Sequence, residues 1–102
     1  MKPSEVLSAA KGLIDAPEKW GKGSYHTVDD GDKYCSIGAI AMAYGGSACQ
    51  PKLLGLIPAY GYLSRAIEGN NVQLWNDADD RSWEEVMAAF DKAIALAQEN
   101  GE

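Results

Sequence analysis

The sequence predicts an all-α protein, a small single-domain bundle of about four helices over residues 1–102, with a long glycine-rich loop after the first helix. Its 102 residues are enough for one domain and not for two. Apolar residues recur at three- and four-residue spacing near both ends of the chain, which is typical of amphipathic helices. Between them, "KYCSIGAIAMAY" (33–44) is apolar at nearly every position, as in a helix that is buried on most sides.

The first helix is predicted over residues 4–16. Ser4 is its expected N-cap, because a serine oxygen accepts hydrogen bonds from the free backbone N–H groups of a first turn. Pro17 is expected to end it, since the residue before a proline is pushed out of helical geometry. The apolar stripe of this helix comprises Val6, Leu7, Ala10, Leu13 and Ile14.

The loop over residues 17–33 carries two large side chains, Trp20 and Tyr25, which we expect to anchor it on the core. Asp32 is the expected N-cap of the buried helix that follows, at 33–44.

The middle of the chain is predicted to form a short helical turn before Pro58 and a helix that begins at this proline, which suits a first helical position. Gly69 is expected to close that helix. The next apolar residues, "NVQLW" (71–75), are predicted to be extended, and they are too few to support a sheet alone.

The last helix carries the strongest local signal. "SWEE" (82–85) has the pattern of a capping box, in which the Ser82 hydroxyl accepts from the Glu85 backbone N–H and the Glu85 carboxylate reaches back to Ser82. The apolar stripe that follows comprises Val86, Ala89, Phe90, Ala93, Ile94 and Ala97.

The chain is acidic, with a formal net charge of -6, and this charge is unevenly spread. Residues 68–102 carry nine acidic residues against two basic ones, so the first two-thirds of the chain is close to neutral. Such a distribution disfavours direct binding of nucleic acid or of a membrane surface, which are themselves anionic. It suits an acidic face that meets a basic protein surface, although the same charge also simply keeps a small protein soluble.

The sequence also indicates the cellular compartment of the protein and the kinds of metal site that its residues could form. No apolar run approaches the ~20 residues that a membrane span needs, and we expect a cytoplasmic protein with reduced thiols. Two cysteines and one histidine are too few for a zinc site of the usual Cys/His kind, so no metal and no cofactor is expected. A disulfide between Cys35 and Cys49 remains an alternative if the chain is exported.

The stretch "LWNDADDRSWEEV" (74–86) places carboxylates close together, as a calcium loop does. The match to a calcium loop fails, because the fifth position counted from Asp77 is Arg81 and no acid stands at the twelfth. We therefore interpret the stretch as a helix start. In this interpretation the Asn76 and Asp77 side chains bond their own backbone in Asx turns, and Trp75 anchors the turn in the core.

A catalytic hypothesis rests on the buried helix. If Asp32 caps it, Cys35 lies in the first turn, where the helix dipole lowers the pKa of a thiol. His26 is then a candidate base for a Cys–His pair. The register of Cys35 with Ala39 and Met42 on an apolar face favours a buried, inert cysteine instead.

The loop aromatics suggest a second kind of site. Trp20, Tyr25 and Trp75, together with Asn76, would surround a planar ligand of the nucleotide kind, on which aromatic faces stack. The alternative is that these side chains plug the ends of a small helical core.

Three motifs follow one another along the chain: W-x-x-G-x-Y, C-x-x-G-A-[IL] and W-N-D-x-x-x-R-[ST]-x-x-E-V. They fall on Trp20, Gly23 and Tyr25; on Cys35, Gly38, Ala39 and Ile40; and on Trp75, Asn76, Asp77, Arg81, Ser82, Glu85 and Val86. In these motifs the chain resembles an uncharacterised family of small helical proteins found in actinobacteria, in other bacteria and in their phages.

The resemblance implies a helical fold without an established activity, in a phage or mobile-element setting. It also suggests that Arg81 pairs with Asp77 or Asp79, and that this pair holds Trp75 and Asn76 in place.

The leading functional hypothesis is a non-enzymatic protein that binds a protein partner, such as a host factor. The acidic last third and the lack of a catalytic constellation favour it. A small-ligand binding protein is the alternative, and a Cys35-dependent enzyme is the second alternative. The candidate binding residues are Trp20, Tyr25, His26, Trp75, Asn76, Asp77 and Arg81.

Overall fold

The computed structural model of the chain describes residues 2–28, 31–45 and 57–102. Within them the chain forms five helices: α1 (Pro3–Leu13), α2 (Ser36–Gly45), α3 (Pro58–Ala66), α4 (Val72–Asp77) and α5 (Trp83–Glu99). Between α1 and α2 lie a 3₁₀ turn (Pro17–Lys19) and an antiparallel pair of two-residue strands, β1 (His26–Thr27) and β2 (Lys33–Tyr34). The predicted mostly helical fold is confirmed, with this small strand pair as an addition.

The core lies between α5, α1 and α3, and α2 packs against α1. Both predicted apolar stripes face it, with Leu13 and Ile94 only partly buried at its edge. Its largest fully buried apolar side chains are Phe90, Leu7, Ile14, Ile40, Leu63, Val6, Val72 and Val86.

The start of α1 differs from the prediction. Pro3 occupies the first helical position, where its missing N–H removes no helical hydrogen bond. Ser4 therefore lies inside the first turn, and Ser4 as N-cap is wrong. Its hydroxyl and its backbone N–H both donate to the main-chain oxygen of Glu102, at 2.9 and 3.0 Å. The helix ends at Leu13 instead of continuing to residue 16.

The start of α2 is also later than predicted, at Ser36. Lys33 and Tyr34 pair with β1 instead of joining the helix. Asp32 as cap is wrong, because its carboxylate lies 2.9 Å from His26 Nε2. Cys35 directly precedes α2, and its carbonyl accepts the Ala39 N–H at 2.9 Å.

The segment around α3 follows the prediction where the structure describes it. α3 begins at Pro58, and Gly69 closes the turn after it with a φ of 78°, where its N–H donates to the Ser64 carbonyl at 2.7 Å. The helical turn predicted before Pro58 lies outside the described residues, as does Cys49.

The extended conformation predicted for 71–75 is wrong, because α4 covers most of these residues. The Asn71 side chain accepts the Leu74 backbone N–H at 3.0 Å and so caps the helix. Val72 and Asn76, four positions apart, are fully buried on the inner face of α4.

The capping box of α5 is confirmed. Ser82 Oγ accepts the Glu85 N–H at 3.2 Å, and the Ser82 N–H donates to Glu85 Oε1 at 2.9 Å. Trp83 is tied to α1, because its indole N–H donates to the Ile14 carbonyl at 2.8 Å. These contacts position the turn between α4 and α5, where the candidate site lies.

Candidate functional site

A fully buried asparagine side chain lies at the centre of the predicted site. The Asn76 Oδ1 accepts three hydrogen bonds, from Trp20 Nε1 at 2.8 Å, from the Ser36 N–H at 3.0 Å and from the Ser36 hydroxyl at 2.7 Å. Its Nδ2 donates to the Gly21 carbonyl at 3.2 Å and to Asp77 Oδ1 at 2.9 Å. The predicted Asx turns are therefore wrong, because this amide bonds distant segments instead of its own backbone.

The loop before α2 is attached to the C-terminal end of α4 by two more contacts. The Gly23 N–H donates to Asp77 Oδ1 at 3.0 Å. The Lys22 ammonium donates to the carbonyls of Ala78 and Asp79, at 2.6 and 3.3 Å. A cation suits this place, since a helix C-terminus exposes unpaired carbonyls and carries partial negative charge.

The same loop lies directly on α2. A Cβ atom added to Gly38 would fall 1.9 Å from the Tyr25 carbonyl oxygen, so no larger residue fits without movement of the backbone. The Tyr25 carbonyl accepts the Cys35 N–H at 3.3 Å. The hydrogen bonds of Asn76 and the Tyr25–Cys35 bond join residues of all three sequence motifs. We call these residues the Asn76 cluster: Trp20, Gly21, Gly23, Tyr25, Cys35, Ser36, Asn76 and Asp77.

Arg81 lies beside the Asn76 cluster and stacks on Trp75. Its guanidinium carbon is 4.1 Å from the centre of the Trp75 ring, and its Nε donates to the Trp75 carbonyl at 2.9 Å. Its Nη1 donates to Glu85 at 2.8 Å. The predicted pairing of Arg81 with Asp77 or Asp79 is therefore wrong, since the first turn of α5 offers the Glu85 carboxylate at i+4.

Two open clefts flank Trp75. One, of about 380 Å³, is lined by Ala66, Ile67, Glu68, Asn70, Trp75, Arg81, Glu85, Ala88, Ala89 and Lys92. The other, of about 340 Å³, is lined by Asn70, Asn71, Leu74, Trp75, Ala78 and Arg81. Leu74 is 74% exposed. We call Asn70, Asn71, Leu74, Trp75 and Arg81 the Trp75 surface.

A family model matches residues 1–96, nearly the whole chain. The chain belongs to DUF6197, a family of unknown function. The predicted membership of an uncharacterised family is thereby confirmed. Comparisons of this chain with curated proteins and with solved structures gave no match.

The cysteine of this DUF6197 protein does not form the hypothesised catalytic pair. Cys35 is 2% exposed, and burial raises the pKa of its thiol instead of lowering it. Its Sγ accepts the Gly38 N–H at 3.3 Å. The His26 ring stacks on Tyr34, with 4.4 Å between ring centres and 7° between planes, and its Nε2 bonds Asp32.

Of the four residues proposed to surround a planar ligand, Asn76 is fully buried. Trp20 and Asn76 bond each other directly. The two clefts that Trp75 lines take their other walls from residues 66–68, 70, 71, 74, 78 and 81 and from α5. The site residues thus divide into the Asn76 cluster, the His26–Tyr34 stack and the Trp75 surface.

Two negative findings concern the described residues. Among residues 2–28, 31–45 and 57–102, no three His, Cys, Asp or Glu side chains lie close enough together to hold a metal ion. No helix of the described chain is both long and apolar enough to cross a bilayer.

Sequence reasoning missed three residues of this region. Ser36 is a fully buried polar residue within an apolar run of the sequence. A buried serine needs a hydrogen-bond partner, so its position in the sequence could have predicted a buried polar contact. Leu74 was missed because an extended segment would place it on the same face as Val72, whereas in a helix residues two positions apart point in nearly opposite directions. Lys22 shows no local signal, since its carbonyl partners are 56 and 57 positions away.

Proposed function

We propose that this DUF6197 protein is not an enzyme and that it acts by binding a partner protein through the Trp75 surface. The observation that carries the proposal is the 74% exposed Leu74 next to the stacked Trp75 and Arg81, with an open cleft on either side. Tryptophan and arginine are the residue types enriched at the energetic centres of protein interfaces.

The position of Leu74 on α4 supports this proposal. The inner face of the helix is used by Val72 and Asn76, which are fully buried, so Leu74 points the other way by helical geometry. A single exposed leucine is ordinary on a protein surface. One that adjoins a partly buried tryptophan and lines a cleft with it is a better candidate for the apolar part of an interface.

The backbone beneath this surface is held on both sides. Asn71 caps the start of α4, and the Asn76 cluster holds its end. Arg81 is fixed on Trp75 by its bonds to the Trp75 carbonyl and to Glu85. A surface that is ordered before binding loses little conformational entropy when a partner docks, which favours affinity.

Burial and hydrogen bonding at the other candidates favour binding over catalysis. A buried thiol with a raised pKa is a poor nucleophile at neutral pH, and the His26 ring faces an aspartate and a tyrosine. The resemblance to phage and bacterial proteins suggests a cytoplasmic host protein as the partner.

The proposal is tested by affinity purification from a bacterial host. Tagged wild type, Leu74→Ser and a matched control, Val28→Ser, are compared by quantitative proteomics. Val28 is a 66% exposed apolar residue that does not line either cleft. We expect a protein that co-purifies with wild type and with the control and is lost with Leu74→Ser.

The thermal midpoints of all three proteins are expected to agree, since both substitutions change exposed residues. A partner set that is identical for all three proteins would place the interface elsewhere. If nothing exceeds background with wild type, the protein-binding function is rejected for that host.

A further inference from the structure

We infer that the segment bound at the Trp75 surface is a basic peptide segment with an apolar side chain, which rests on the protein-binding function proposed above. The apolar part follows from Leu74 and Trp75, which line the smaller cleft together with the Ala78 carbon atoms. A leucine-sized side chain that enters this cleft removes its own surface and that of Leu74 from water.

The charge of the neighbouring turn is negative. Asp79 and Asp80 lie between α4 and α5, and Glu84 and Glu85 lie in the first turn of α5, all of them exposed. Among the described residues only Glu85 of these four is in a salt bridge, with Arg81. The carboxylates of Asp79, Asp80 and Glu84 therefore have no ion partner in the described chain. The first two stand in the sequence between Ala78 and Arg81, which line the smaller cleft.

The cations close to this surface do not balance these carboxylates. Lys22 bonds the carbonyls of Ala78 and Asp79, and Lys92 lines the larger cleft opposite a further carboxylate, that of Glu68. The acidic groups thus outnumber the ammonium groups. The field of the whole chain has the same sign, since its net charge is -6.

A negative field of this kind selects the partner by charge. It attracts a lysine- or arginine-rich segment, raises the rate of encounter with it and repels an acidic segment of the same shape. It also repels the phosphate backbone of nucleic acids. The apolar cleft then fixes where the segment docks, because charge alone gives little positional specificity.

The inference is tested by titrating the ¹⁵N-labelled protein with two peptides of equal length, one of lysine and leucine and one of glutamate and leucine. We expect the lysine peptide to shift the amide signals of residues 74–81 and the Trp75 indole signal at low salt, with weaker binding as salt rises. The glutamate peptide should leave these signals unchanged. Leu74→Ser should abolish the shifts caused by the lysine peptide.

A charge-matched pair of variants separates local charge from total charge. The double variant Asp79→Asn, Asp80→Asn should weaken lysine-peptide binding by about three- to tenfold, which corresponds to the usual free-energy contribution of exposed ion pairs. Glu18→Gln with Glu99→Gln removes the same total charge away from the surface and should change it by less than about twofold, because salt screens distant charges.

The inference is overturned if the glutamate peptide binds equally well, if the shifts centre on residues outside 68–92, or if no shift appears. It is also overturned if the two double variants lose affinity equally. Should affinity purification yield a Leu74-dependent partner while the lysine peptide fails, protein binding stands and the basic segment is rejected. Peptide binding without any cellular partner would reject the proposed function instead.

Discussion

Asn76 illustrates at the scale of one residue why a polar group is buried in this fold. A buried amide is tolerated only when its donors and acceptor are satisfied. Asn76 meets this condition with five hydrogen bonds to four other residues, two of which lie 40 and 56 positions earlier in the chain. The motif that begins with Trp75 and Asn76 therefore contains a buried polar contact between distant segments as well as part of an exposed surface.

Asn76→Ala is expected to lower the free energy of unfolding by roughly 3 kcal/mol or more, because the Trp20 indole and two donors of Ser36 lose a buried acceptor. Urea unfolding measures this loss. Asn100→Ala is the control, since Asn100 is exposed and its side chain donates to the Leu96 carbonyl at the end of α5. A loss for Asn76→Ala no greater than that of the control would contradict the role of the Asn76 cluster.

Replacing glycine by alanine is expected to have opposite effects on stability at Gly38 and at Gly61. Gly38→Ala should destabilise the protein, because the added Cβ would fall 1.9 Å from the Tyr25 carbonyl oxygen. Gly61 lies within α3 with nothing within 4 Å of an added Cβ, so Gly61→Ala should stabilise by about 0.5–1 kcal/mol. Thermal unfolding of both variants tests the pair. Equal midpoints would mean that the loop does not lie on α2.

At the scale of elements, α4 shows how tertiary contacts stabilise a helix that is too short to be stable by itself. Its six residues are far fewer than the ~12 that an isolated helix needs to be even marginally stable. The Asn71 cap and the burial of Val72 and Asn76 supply what local propensity lacks. Whether Leu74 faces outward depends on this helix, so the candidate interface depends on it too.

The capping box of α5 predicts a change of stability with pH. The Ser82 N–H and hydroxyl, followed by Arg81, stabilise the Glu85 carboxylate and lower the pKa of Glu85 from 4.5. Because the folded pKa is the lower one, this stabilisation is complete above the unfolded pKa. It is lost as pH falls through the folded pKa.

The thermal midpoint of Glu85→Gln is therefore expected to lie below that of wild type at neutral pH, with the gap closing as pH falls below 4.5 and through the lowered pKa of Glu85. Glu84→Gln is the matched control, because Glu84 stands in the same turn without a side-chain hydrogen bond among the described residues. A gap that stays constant with pH, or one of equal size in the control, would show that the carboxylate of Glu85 is not the cause.

At the scale of the whole molecule, α5 joins the rest of the fold together. It packs on α1 and α3, and the residues that follow it return to α1, where Glu102 accepts two bonds from Ser4. The Tyr62 hydroxyl of α3 donates to the Glu102 carboxylate at 2.7 Å. Contacts at the end of the described chain thus connect three helices.

Phe90 tests this arrangement, since it is a fully buried residue of α5 and the largest such apolar side chain of the core. Phe90→Ala should cost about 3–5 kcal/mol, which is much of the stability of a small domain. Phe90→Leu nearly preserves volume and should cost about 1.5 kcal/mol or less. Urea unfolding at low temperature compares them, and a cost below about 1 kcal/mol for Phe90→Ala would mean that the core is centred elsewhere.

The local sequence rules predicted what is decided within a few residues. The apolar stripes of α1 and α5, the start of α3 at Pro58 and the capping box at Ser82 were all predicted, because spacing, proline geometry and a serine cap act over one or two helical turns. The cap of α1 was not, since Pro3 occupies the first helical position and thereby places Ser4 inside the first turn.

The tertiary structure alone decided the character of the candidate site. Trp20 and Ser36 meet Asn76 only because the loop and α2 both pack against α4, and Cys35 is buried in the same packed region. Hydrogen bonds between residues 40 and 56 positions apart leave no periodic trace in a sequence, because nothing local depends on them. The sequence by itself therefore determined a helical chain with an acidic last third, while folding determined which motif residues are buried and which remain exposed.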